Sequence, residues 1–128
     1  MIEPHFAKLE TDFWELENLI LRQQQPEKIT LPEPGKLKNI QPGQAVKMVF
    51  LLVLQQQGQD PKIIREKMWV LVTEVTAGYL RGYLDNQPKS TADMASGMEV
   101  FFLPENILEI SFPPQEYFEQ RIRTFGEK

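Results

Sequence analysis

The chain has 128 residues, a formal net charge of −4, 41% apolar and 25% charged residues, and no cysteine. That length suits one domain with a core that needs no covalent staples, and the lack of cysteine removes disulfides, thiolate metal sites and a cysteine nucleophile together. The charge balance offers no basic stripe for polyphosphate, which argues against nucleic acid, and the longest apolar run, 48–54, is far short of the about 20 residues a membrane span needs.

Cysteine-free composition suits a reducing, cytoplasmic setting, and residues 1–20 lack the basic-then-apolar pattern of a secretory signal. Those residues do carry the whole charge imbalance. Glu3, Glu10, Asp12, Glu15 and Glu17 stand there against Lys8 alone. Such a run is either a solvated face or a docking surface for a basic partner.

Phe6, Leu9, Phe13, Leu16 and Ile20 recur at alternating spacings of three and four, which predicts an amphipathic helix over residues 1–25. Pro4 suits its first turn, Asp12 with Glu15 offers a later start resembling a capping box, and Pro26 ends it. The stripe either packs on the sheet or forms the seam of a homodimer. Residues 26–44 hold Pro26, Pro32, Pro34, Gly35, Pro42 and Gly43, the composition of an extended connector. A short strand is expected at 28–31, and a tight turn at Gln41-Pro42-Gly43-Gln44.

Strand signals follow at 45–54, 67–75, 79–84 and 98–103, with a fifth candidate at 107–112. The first is apolar on both faces from Met48 onward, as in a central strand covered on each side. In the second, Trp69, Leu71 and Val75 alternate with Met68, Val70 and Val72. In the third, Leu80 and Leu84 face one way while Tyr79, Arg81 and Tyr83 face the other. Thr76-Ala77-Gly78 has the form of a hairpin loop, and Asp85-Asn86-Gln87-Pro88 turns the chain after the third strand. Gly82 marks either a bend in the sheet or a close backbone approach. After Pro113-Pro114, Tyr117, Phe118, Ile122 and Phe125 predict a C-terminal helix over 115–125. The sum is a single α+β domain over residues 1–128. Its core is a small curled antiparallel sheet, an SH3-like half-barrel of four to five strands, with an N-terminal and a C-terminal helix.

Val46-Lys47, Glu66-Lys67-Met68-Trp69-Val70, Val72, Gly82-Tyr83-Leu84-Asp85-Asn86-Gln87-Pro88, Gly97, Val100 and Ile107 carry a resemblance. Over residues 46–110 the chain resembles the YegJ-like family of bacterial domains of unknown function. The resemblance implies a bacterial domain of this fold and brings no activity with it.

Catalytic chemistry finds little footing. His5 is the one histidine and lies near the start of the chain. No loop has the oxygen-rich spacing of a calcium site, and Asp85-Asn86 with Asp93 is the nearest approach. No glycine loop leads into a helix to cradle phosphate, and Ser90, Ser96 and Ser111 stand in no nucleophile-elbow pattern. No cofactor and no metal site are expected. The candidate binding residues are Trp69, Tyr79, Arg81, Tyr83, Asp85 and Asn86, because aromatic and arginine side chains on an outward strand face suit an interface. The same rings could instead lie beneath a flanking helix. The expected function is a non-catalytic bacterial module that binds another protein, an immunity protein being one instance. The alternative is a small-ligand binder or minor hydrolytic enzyme using the rim carboxylates Glu74 and Asp85 with Asn86.

Overall fold

A bulky residue in a left-handed backbone decides how the chain begins. In the computed structural model, which describes residues 3–23 and 29–126, Phe13 has φ 65° and ends helix α1 (Leu9–Asp12) after one turn. Strand β1 (Trp14–Leu16) and helix α2 (Leu19–Gln23) follow. The continuous helix expected over residues 1–25 is therefore not formed. The reason is competition from outside the segment: Trp14 and Leu16 pair with Leu52 and Phe50, and the Trp14 ring packs 5.6 Å from that of Phe50. Asn18 then accepts the N–H groups of Ile20 and Leu21, capping α2. Of the predicted stripe, Phe13 and Ile20 are exposed and the rest half-buried, with Leu16 packed against the core.

The connector contains helix α3 (Pro34–Lys38), which the proline count concealed, although Pro34 sits in the first turn that proline favours. Residues 29–31 are not a strand; Lys28 and the predicted helix stop at Pro26 lie outside the described residues. Strand β2 (Ala45–Leu54) pairs along its whole length with β3 (Lys62–Val75), from Ala45 opposite Leu71 to Leu54 opposite Lys62. The latter begins five residues before the expected 67, because its charged first half is held by the ladder rather than by burial.

Strands β4 (Leu80–Leu84) and β5 (Glu99–Phe102) extend the meander. A 3-10 turn (Pro104–Asn106) then returns the chain to β6 (Ile107–Ser111), which pairs with Ala45–Met48 on the far edge of β2. Strand β1 shares that edge further along. Strands β2 to β6 make the SH3-like half-barrel, and β1 is an addition to it.

Period-2 alternation fills the inside. Val46, Met48, Phe50 and Leu52 of β2 meet Met68, Val70 and Val72 of β3, with Leu84 and Phe102 beyond. Each such side chain contributes about 1.5–3 kcal/mol on full burial. Gly82 resolves both of its readings at once. The β3–β4 register slips between Val72 and Glu74, and a Cβ on Gly82 would collide with the Leu71 carbonyl oxygen. A bulge bends the sheet there, and the backbones approach too closely for a side chain.

Helix α4 (Gln115–Gly126) crosses the outside of the sheet. Its Phe125 joins Ala45 and Leu71 in a second apolar cluster, with Trp69, Tyr83, Phe118 and Ile122 packed around them. Among the described residues no helix is long and apolar enough to cross a membrane.

Candidate functional site

The six candidate residues divide between two places. Alternation along β4 is as expected: Leu80, Gly82 and Leu84 are buried, while Arg81 and Tyr83 face outward and are half-buried. The outer face is not one open surface, however, because α4 covers half of it.

Trp69, Tyr83, Asp85 and Asn86 lie on the covered half. The Tyr83 ring packs 6.3 Å from Phe125, and Lys47 Nζ stands 5.1 Å above the Trp69 ring while pairing with Glu109 at 2.8 Å. Asp85 and Asn86 tie elements together. The Asn86 side-chain oxygen accepts the Trp69 N–H, and the Asp85 N–H donates to the Trp69 carbonyl at 2.9 Å. The Asp85 carboxylate, 7% exposed, accepts from Arg121 Nε at 2.8 Å and from the Tyr117 phenol. That bond favours the protonated phenol and raises the Tyr117 pKa, with burial adding to the shift. Asp85 bonds the helix, Trp69 and Tyr83 pack in the cluster beneath it, and Asn86 fastens the turn after β4 to β3.

Tyr79 and Arg81 lie on the open half. Tyr79 meets Phe101 edge to face at 5.4 Å, and its phenol donates to Glu74 at 3.0 Å, which raises its pKa. Arg81 sits between Glu74 at 3.3 Å and Glu99 at 3.5 Å. Both charged partners of this arginine come from its own sheet. The cluster is compact, with one arginine held between two glutamates.

Three acids of the N-terminal run, Asp12, Glu15 and Glu17, are bonded within the chain. Asp12 accepts the Lys8 N–H and bonds His5, which together lower its pKa. The Glu15 carboxylate accepts the Leu9 N–H, and Glu17 pairs with Arg22 and Arg65. Asn106, buried in the 3-10 turn, accepts the Leu103 N–H and donates to the Glu17 carbonyl, fastening the first segment to the last strands.

The most exposed large apolar side chain among the described residues is one the alternation argument passed over. Phe112, 74% exposed, follows β6 directly. A groove of about 590 Å³ lies on one side of it, floored by Leu31, Leu108 and Ile110. A second, of about 490 Å³, lies on the other, bounded by Pro42, Pro113 and Phe118. Phe112 and Gln44 line both. The β2–β6 ladder ends with Ser111 opposite Ala45, one residue short of the expected 112, and so leaves Phe112 just beyond it. No protein-family model, curated protein or solved structure matches the chain.

Proposed function

We propose that the chain is a non-catalytic protein-interaction module that receives an extended apolar segment of a partner protein across Phe112. One observation carries the reading: an aromatic ring stands in solvent between two open grooves that share it. Burying such a ring is worth about 1.5–3 kcal/mol, and central aromatic anchors dominate interface energetics. Pro32, Pro42 and Pro113 stiffen the surroundings, so little conformational freedom is lost on binding. The bacterial, cytoplasmic setting and the kinship with YegJ-like domains belong to the same proposal and rest on the motif residues alone.

The alternative chemistry would require Glu74, Asp85 and Asn86 at the rim to face a ligand. Each is instead bonded to a neighbour in its own chain, and none lines either groove beside Phe112. The interaction reading is favoured for that reason.

The test compares the wild-type chain with Phe112→Ser and Tyr79→Ala as baits, all three first shown to be folded. The expected result is one protein recovered by the wild type and by Tyr79→Ala, and missing with Phe112→Ser. Equal recovery by all three would remove Phe112 from the interface, and loss with Tyr79→Ala alone would move it to the β4 rim.

A further inference from the structure

Strand β3 is much longer than the strand beside it. Pairing with β4 begins only at Val70, so residues 62–67 have β2 on one side and, among the described residues, no strand on the other. The direction of the free groups follows from Trp69, whose carbonyl and N–H point away from β2 to Asp85 and Asn86. Backbone groups repeat every second residue along a strand, so the odd-numbered residues of β3 aim theirs at this edge. An edge of this kind is a template for another strand.

We infer that the edge is completed by a second copy of this chain, running antiparallel about a two-fold axis at Ile64. Charge selects the occupant and the register. With the axis at Ile64, Lys62 of each chain lies opposite Glu66 of the other, and the two isoleucines face each other. Glu66 already accepts the Lys89 N–H on Oε2 at 2.9 Å, and among the described residues its Oε1 has no hydrogen-bond partner. Moving the axis to Arg65 sets two arginines side by side, and moving it to Ile63 places Pro61, which has no N–H, opposite Arg65.

The outer face fits the same pairing. Val53 N–H donates to the Phe13 carbonyl and Val53 lies opposite Ile63, so Val53 and Ile63 form a row across two strands beside Phe13, which precedes β1. Phe13 is 59% and Ile63 61% exposed, and the row ends at the open edge. A second chain in this register brings its own row alongside. A contact of this size belongs with weak, concentration-dependent association.

Sedimentation of the full chain across the micromolar range tests the inference, with circular dichroism confirming each variant's fold. A monomer–dimer equilibrium is expected, weakened at least tenfold by Lys62→Glu and restored in Lys62→Glu/Glu66→Lys. Because the chain has no cysteine of its own, Ile64→Cys should oxidise to a covalent dimer while Ile63→Cys should not. A monomer at every concentration overturns the dimer. Cross-linking through Ile63→Cys as readily as through Ile64→Cys overturns the register. Should Ile64→Cys fail to fold, an unchanged association constant for Lys62→Glu, an exposed position, serves to overturn it instead.

Discussion

Asp85 and Tyr117 are 32 residues apart in the chain and share a hydrogen bond, with Arg121 one helical turn further on binding the other oxygen of the same carboxylate. One acidic side chain at the end of β4 thus receives two donors from α4. It orients the helix across the sheet, and Phe118, Ile122 and Phe125 then supply the apolar contact. Directional bonds set the angle while burial holds the layers together.

Asp85→Ala should therefore release α4 before it unfolds the barrel. Both lost donors are partly exposed and can rehydrate, which limits the cost to about 1–3 kcal/mol. Amide hydrogen exchange should quicken over residues 115–126 and stay slow in β2 and β3. Uniform acceleration through the sheet would show that the helix and barrel are one cooperative unit.

The same bond makes helix docking sensitive to alkali. The Tyr117 phenol ionises above its ordinary value of 10.0 in the folded chain. A raised folded value contributes stability that is complete below pH 10 and lost as pH rises through the raised value. Titration of phenolate absorbance should show a component above 10 that Tyr117→Phe removes. Tyr79, bonded to Glu74, adds a second high component that Tyr117→Phe leaves in place.

Gly82→Ala should be among the most damaging small changes available. The added methyl meets backbone, which cannot swing aside, so strand β4 must move or the bulge must open. A loss of about 1–3 kcal/mol is expected in chemical denaturation. Gly35→Ala, where a Cβ meets nothing, provides the control and should fall within about 0.5 kcal/mol of wild type.

Two phenylalanines separate stability from recognition. Phe50→Ala empties a fully buried site and should cost about 3–5 kcal/mol. Phe112→Ser should leave the unfolding free energy within about 0.5 kcal/mol of the wild type, because its ring has little contact to lose. A large loss for Phe112→Ser would mean that the ring is covered in solution.

Asn106→Ala should loosen the first segment. Its side chain bonds Leu103 and the Glu17 carbonyl from a buried position, so removal orphans both groups. A cost of about 1–3 kcal/mol is expected, with proteolysis quickening within residues 3–23.

What could be read from the sequence was whatever depended on local periodicity. The apolar run at 45–54, the alternation at 67–75 and 79–84, the turn residues between strands, and the apolar spacing of 115–125 determined the half-barrel and its last helix, because each pattern is a property of one segment. The start of the chain shows the limit. Phe6 to Ile20 has a helical spacing, yet Trp14-Glu15-Leu16 also alternates, and only the free edge of β2 decided between them. Tertiary structure alone also placed α4 over Trp69 and Tyr83 but not over Tyr79 or Phe112. Which rings are covered depends on where a distant helix comes to rest, here on the bonds from Tyr117 and Arg121 to Asp85, and no repeat within a strand encodes that meeting.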